Sequence, residues 1–199
     1  MASTNSANKI ITHDENPPHG GHFTWLLPWV QDQEIRTAVD IGGHEGLWTR
    51  AWHKKAKHIV VFEPNQECLP TLKHNTNHIE NMTLHEVALG NKECKVSMEY
   101  VDHPGTYYIK DYEGSIPVKT LDSYNLTDVD VIKIDVEGFE VPVIEGARET
   151  ILSNKPWIQI EANHTGDRYG RPKKFILNAL ANLGMRRRAK EWPDQIWSF

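Results

Sequence analysis

The chain has little cysteine. Its 199 residues include two, Cys68 and Cys94, without the spacing of a metal-ligand pair. A disulfide scaffold and a zinc module are therefore not expected, and free thiols in a reducing cytoplasm are the reading. Long apolar runs are missing as well. Nothing approaches the roughly 20 residues of a membrane span, and the polar opening MASTNSANKIITHDENPPHGGH has no signal-peptide core. Without such a signal, the Asn-x-Thr triplets at Asn81, Asn125 and Asn163 read as accidental. Clustered cations are scarce. The net charge is −5, and the one basic run, Arg186 to Arg188, reads as a solvated strand edge. No nucleic-acid partner is expected, because phosphate contacts need grouped cations. Internal repeats and low-complexity linkers are absent too.

What remains is an ordinary globular composition, 39% hydrophobic and 25% charged, long enough for one domain with a real core. Residues 1–24 read as a flexible or lid-like arm, and 25–199 as a single domain. Strands and helices alternate after the arm. TAVDI (37–41), HIVVFE (58–63), TLHEVAL (83–89), VDVIKIDV (129–136) and PWIQIEA (156–162) read as strands. Helices are expected over 44–56, over 66–75 despite Pro70, from Phe139 through Ile151, and over 173–184. In the third of these, Phe139, Val143, Ala147 and Ile151 recur every four residues, and Pro142 falls in the tolerant first turn. Residues 93–119 read as a β-rich insertion with a turn at Pro104-Gly105. The C-terminus reads as a hairpin about Pro193-Asp194. This order predicts an α/β, Rossmann-like fold: a seven-stranded, mostly parallel sheet with an antiparallel C-terminal strand. Ligands of such sheets sit at the carboxyl ends of the strands, here Asp40, Glu63, Val87-Ala88, Asp135 and Glu161.

The loop DIGGHEG (40–46) lies at the first of these ends. It lacks the lysine of a P-loop, because Leu47 and Trp48 follow Gly46. A dinucleotide is disfavoured. Asp40 and Glu45 would surround its pyrophosphate with negative charge, and the spacing Gly42, Gly43, Gly46 breaks the fingerprint. S-Adenosylmethionine has no phosphate and carries an ammonium and a sulfonium, so Asp40 suits it. Glu63 would take its ribose hydroxyls. Class I methyltransferases that use this cofactor have the expected strand order.

VDIGGHEGLWTRAW, VVFEPN, EVALGN, IPVKTLDSY, VDVIKIDVEGFEVPVIEGARETI and KPWIQIEAN resemble, in order and spacing, the FkbM-like family of methyltransferases over residues 37–163. IKIDVEG (132–138) followed by VIEGAR (143–148) is the most specific part. The resemblance implies O-methylation of a hydroxyl on a sugar or other natural product. It puts Asp40, Gly42 and Glu63 on cofactor positions, with Asn65 following. Gly43, His44, Gly46, Pro64, Val87, Ala88 and Asp135 complete the expected cofactor set. The family more often has GANIG where this chain has GGHEG, so His44 and Glu45 depart from it.

Methyl transfer to a hydroxyl needs alignment and a base. KIDVEG supplies Lys133, Asp135 and Glu137, and EANH supplies Glu161 and His164. Asp135, Glu137, Glu161 and His164 are the catalytic candidates. Glu137 serves equally well as a helix cap, and Lys133 reads as a buried partner for a carboxylate. Asp135, Glu161 and His164 could instead hold a divalent metal, which is not favoured because hard cations take more oxygens. His13, His19 and His22 could form part of a lid. Trp25 and Trp29 suit core packing, or stacking on a sugar ring. Two other readings stay open: a non-catalytic cofactor-binding or assembly module on the same fold and, less favoured, an NAD-linked oxidoreductase.

Overall fold

The computed structural model describes residues 23–100 and 107–199. The elements run β1 (Ile35–Ile41), α1 (Leu47–Trp52), β2 (Ala56–Phe62), α2 (Leu69–Thr76), β3 (Met82–His85), β4 (Ala88–Leu89), β5 (Cys94–Tyr100), β6 (Tyr107–Lys119), β7 (Val129–Ile134), α3 (Glu140–Gly146), α4 (Arg148–Asn154), β8 (Trp157–Glu161), α5 (Lys174–Asn182), β9 (Arg186–Glu191) and β10 (Asp194–Ser198). Short 3-10 turns occupy Leu121–Tyr124 and Thr165–Tyr169. The lid-like arm, except residues 23 and 24, and the Pro104-Gly105 turn lie outside the described residues.

The main sheet has seven strands in the order β3-β2-β1-β7-β8-β10-β9. Only β10 runs against its neighbours. From β1 the chain winds outward to β2 and β3, then returns to β7 and winds the other way. That reversal opens a crevice at the carboxyl ends of β1 and β7. The strands are apolar because helices cover both faces: Val129, Val131, Ile132 and Ile134 of β7 are all fully buried. One core packs Ile132, Ile134 and Ile160 against α3, α4 and α5. The other packs Ala38, Ile59 and Val131 against Trp48 and Trp52 of α1. β4, β6 and β5 form a second, three-stranded sheet, so 93–119 is β-rich as expected. Among the described residues, no helix is long and apolar enough to cross a membrane.

Three expected elements differ. The single strand over 83–89 is two. β3 pairs with β2, and after a bend β4 pairs with β6 in the other sheet, so hydrophobicity continues across a change of sheet. The helix expected from Phe139 is broken at Ala147 (φ −111°, ψ 10°). Its apolar stripe stays buried through the break. Asp122, from the preceding 3-10 turn, caps α4 by accepting from the Glu149 and Thr150 N–H groups at 3.0 and 2.8 Å. A cap from 27 residues away leaves no local signal. The helix expected from His44 starts at Leu47, because Gly42, His44 and Gly46 all adopt positive φ.

Candidate active site

The loop after β1 is shaped by one close approach. Gly42 has φ +85°, and a Cβ there would fall 1.8 Å from the Asp135 carbonyl oxygen. The N–H groups of Gly42 and Gly43 both donate to the Phe62 carbonyl, at 3.0 and 3.1 Å. The loop is thus stitched to the ends of both neighbouring strands. Gly46 plays a different part. It lies away from the crevice and lets α1 pack on α2, where its Cβ would meet Thr76 at 2.8 Å.

Glu63 follows β2 and is buried. Its Oε2 accepts from the His44 N–H at 2.7 Å, and its Oε1 accepts from the Asn65 N–H at 2.8 Å. Both oxygens are fixed by backbone. Burial nonetheless raises its pKa, against the opposing pull of these two bonds.

Asp40 is fully buried and stands beneath the crevice. Thr49 Oγ1 donates to it at 2.7 Å, and Lys133 Nζ lies 3.2 Å away. Lys133 also donates to the Gly42 carbonyl at 2.6 Å and stands 3.6 Å from Asp135. Asp40 is not among the residues that line the cavity of this crevice. It holds Lys133, and Lys133 holds the loop, which is the carboxylate partnership expected of a buried lysine.

At the end of β7 the strand stops at Ile134. Glu137 and Gly138 take positive φ, +55° and +104°. Glu137 makes no cap to the following helix, and Glu140, its first residue, instead fixes the turn before it: Oε1 accepts from the Gly138 N–H at 2.9 Å. Sequence reasoning missed Glu140, whose signal was a carboxylate two residues after the glycine. Glu137 is freed from capping. Oxygens of Asp135, Glu137 and Glu161 come within 4.8 Å of one another. Burial, with Asp135 nearby, pushes Glu137 up to about 7, opposed by Arg168 and Lys133. Burial and the neighbouring acids push Glu161 up to about 9. Among the described residues Glu161 Oε2 is buried without a hydrogen-bond partner.

A cavity of about 330 Å³ occupies the crevice. Gly42, Gly43, His44, Glu63, Pro64, Asn65, Val87, Ala88, Asp135 and Glu137 line it, as do Glu45 and Lys133. His44 and Glu45 therefore belong to the loop wall and do not start the helix. Four members of the expected set are not among the lining residues. Asp40 and Gly46 lie behind the loop, and Glu161 lies behind Asp135 and Glu137. His164 also stands away from the lining: its side chain is 76% exposed, 3.7 Å from Asp167, with its ring 5.9 Å from that of Trp192. Trp25 packs in the core beside α1. Trp29 leans on Trp157 at the opening end of β8, away from the cavity.

Phe23, Leu47, Phe139, Met98, Tyr107 and Ile109 line the cavity without having been foreseen. The last three come from the second sheet. Tyr107 donates to Glu67, and Tyr169 donates to the Ile109 carbonyl at 2.8 Å, which ties that sheet to both sides of the crevice. Such non-local walls have no periodicity to reveal them.

Residues 40–187 match the model of the methyltransferase FkbM domain. The chain belongs to the FkbM methyltransferase family. Within known proteins, this FkbM chain is 26% identical to Methyltransferase 1 of Beauveria bassiana over 169 residues, 68% of this chain and 65% of that protein. It is 25% identical to the 2-O-methyltransferase NoeI of Sinorhizobium fredii over 145 residues, 59% of each. The chain thus matches less than two thirds of the length of these relatives. A crystal structure of methyltransferase FkbM from Methylobacillus flagellatus superposes with a TM-score of 0.59 at 20% identity, covering 83% of this chain and 44% of that one. The fold is that of class I methyltransferases.

Proposed function

We propose that this FkbM-family chain binds S-adenosylmethionine and methylates a hydroxyl of a sugar or other small molecule. The observation that carries this reading is the buried Glu63 carboxylate, fixed by two backbone N–H bonds at the wall of the cavity. It is set to accept from the two ribose hydroxyls. Lys133 is the one ammonium or guanidinium group lining the cavity among the described residues, and it is engaged by Asp40, Asp135 and the Gly42 carbonyl. No cation is left for a pyrophosphate, which disfavours a dinucleotide. Pro64, Asn65, Val87 and Ala88 offer the flat apolar walls that an adenine needs. Asp135 at the β7 end suits the cationic end of the cofactor.

When bound, the cofactor supplies an electrophilic methyl group on a sulfonium. The chain's part is alignment and proton removal. Glu137, poised at about 7, is the proposed base, because a base is most effective near the working pH. Three carboxylates this close do not all ionise cheaply. Glu161, pushed up to about 9, is the member that keeps its proton at neutral pH. The NoeI relative is named a 2-O-methyltransferase, which supports a hydroxyl acceptor here. A hard cation would find three carboxylates in the acid trio and would need further ligands; no step is routed through one.

Calorimetry with S-adenosylhomocysteine tests the reading. The unaltered protein binds it, and Glu63→Ala weakens binding by about 100-fold, since hydrogen bonds to a charged group are worth about 1.5–3 kcal/mol. Affinity also falls as pH drops through the raised Glu63 pKa, because the ribose donors need the carboxylate ionised. Failure of the folded protein to bind, or tight binding of NADH instead, would falsify it.

A further inference from the structure

The second sheet lays one of its faces over the crevice. Tyr107 and Ile109 alternate along β6 and share that face, and Met98 of β5 stands opposite Ile109. All three line the cavity. Ile109 and Met98 pack with Ala88 and Phe139, so the roof meets the proposed adenine wall there. Tyr107 lies farther along the strand. Tyr100 is its cross-strand partner, with the two ring centres 5.2 Å apart. Tyr108 belongs to the opposite face. Its hydroxyl donates to Glu99 at 2.7 Å, and Arg168 lies 4.2 Å from the centre of its ring.

Tyr107 is anchored to the residues that hold Glu63. Its hydroxyl donates to Glu67. The Glu67 N–H donates to Asn65 Oδ1 at 3.0 Å, and the Asn65 N–H donates to Glu63 Oε1 at 2.8 Å. One hydrogen-bonded run thus joins the carboxylate proposed for the ribose to a ring on the facing sheet. Val96 and Val118 fill the core of that sheet, whereas Tyr107 is half-buried at the cavity wall. A phenol ring offers a flat apolar face on which a purine stacks well. Holding its hydroxyl at Glu67 orders the side chain before a ligand arrives, so less freedom is lost on binding.

We infer that Tyr107 is a cofactor-binding residue: its ring stacks on the adenine of S-adenosylmethionine, opposite the Val87-Ala88 wall, and Glu67 is a positioning residue that holds the ring there. The second sheet is then part of the cofactor site, and the methionine end is left to face Asp135. This inference rests on the reading of the cavity as an S-adenosylmethionine site and adds to it a contact from outside the main sheet.

Calorimetry on the full chain comes first, with S-adenosylhomocysteine and with methylthioadenosine, which keeps the adenosine half and lacks the amino-acid half. The chain carrying protonated tyrosine in an otherwise deuterated background then shows nuclear Overhauser contacts from a tyrosine ring to the adenine ring protons of bound methylthioadenosine. Tyr107→Phe with deuterated phenylalanine loses those contacts and still binds. Tyr107→Ala weakens both ligands by the same factor, about tenfold, as expected for a lost base–aromatic stack. Glu67→Ala speeds release of both by about threefold, the worth of one modest hydrogen bond. Glu67→Gln, which still accepts from the phenol, releases them as the parent does, and Tyr108→Phe changes nothing. A protein that binds neither ligand overturns the cofactor reading and this inference with it. Binding with no tyrosine contact to the adenine, contacts that persist in Tyr107→Phe, or a Tyr107→Ala loss confined to S-adenosylhomocysteine overturns this inference alone. The contacts in the unaltered protein and in Tyr107→Phe decide the matter whether or not Tyr107→Ala folds.

Discussion

Two buried carboxylates end neighbouring parts of the same sheet and meet opposite fates. Asp40 of β1 is fully enclosed, but Lys133 lies 3.2 Å from one oxygen and Thr49 donates to the other. Asp40 Oδ1 and Glu161 Oε2 both lack a hydrogen-bond partner among the described residues, but the close neighbours of Glu161 are acids. An ion in low dielectric needs a counter-charge or it takes up a proton. The Asp40 side has its counter-charge, and there the chain builds a rigid loop. The Glu161 side has acids around it, with Lys133 and Arg168 opposing only at Glu137, and there burial and the neighbouring acids push Glu137 up to about 7 and Glu161 up to about 9. The difference separates scaffold from reactivity within one crevice. It assigns the role of each acid better than its position at a strand end does.

Breaking the compensated side produces the largest effect. Lys133→Met leaves Asp40 as an unpaired buried charge, which costs about 3–5 kcal/mol. Thermal unfolding then falls by roughly 10 °C for a chain of this size. Adding Asp40→Asn recovers much of that loss. A Lys133→Met protein as stable as its parent would mean that Asp40 needs no counter-charge, and the contrast between the two sides would collapse.

The uncompensated side is tested next, through Glu137. Glu137→Gln lowers methyl-transfer turnover by about 100-fold, the low end of what a general base contributes. Calorimetry with S-adenosylhomocysteine shows little change, since Glu137 is not proposed to hold the cofactor. For the unaltered protein, turnover rises with pH through about 7 as the base ionises. A pH profile flat across that range would remove Glu137 from the role.

Much of this contrast could not be read from the sequence. The strands were legible because β1, β7 and β8 are buried on both faces and show it as continuous apolar runs. Their carboxyl ends then pointed to Asp40, Glu63 and Asp135. Lys133 was legible as a partner because it lies two residues before an acid. Which acid would be compensated was not legible. Asp40 meets Lys133 only through the pairing of β1 with β7, and Glu161 meets Glu137 only through the turn after Ile134. Local patterns also left Glu137 equally suited to a cap and to the site, and the turn with positive φ at Glu137 and Gly138 takes it away from the helix N-terminus. His164 was carried along by its closeness in sequence to Glu161, but it lies beyond the end of β8, where the chain has already turned outward. The walls given by Met98, Tyr107 and Ile109 depend on a second sheet, whose pairing no single segment encodes.

A smaller effect comes from Glu161 itself. Its pKa in the fold stands above the ordinary 4.5, as do those of Glu137 and Glu140. The folded state therefore binds more protons than the unfolded chain above about pH 4.5. Stability is fully present below that value. It declines as pH rises through about 7 for Glu137 and Glu140, and through about 9 for Glu161. Glu161→Gln removes the last step. Relieving a buried unpaired group recovers about 1–3 kcal/mol, so at pH 9 the variant melts several degrees above its parent. At pH 5 the two melt together. Equal melting at both values would show that Glu161 already has a counter-charge.

The smallest effect sharpens the comparison by asking how far an exposed cation substitutes for a buried one. Arg168 stacks on Tyr108 at 4.2 Å from its ring centre, and it lowers the Glu137 pKa from outside, as Lys133 does from within. Water and salt screen an exposed charge but barely reach a buried one. Arg168→Gln therefore raises the Glu137 pKa by only a few tenths of a unit, read from the carboxyl carbon resonance of Glu137 across pH. Salt at about 1 M, where the screening length is about 3 Å, erases the difference between variant and parent. A shift that survives such salt would show that Arg168 acts as a second Lys133, and the acid trio would then be compensated from its outer side.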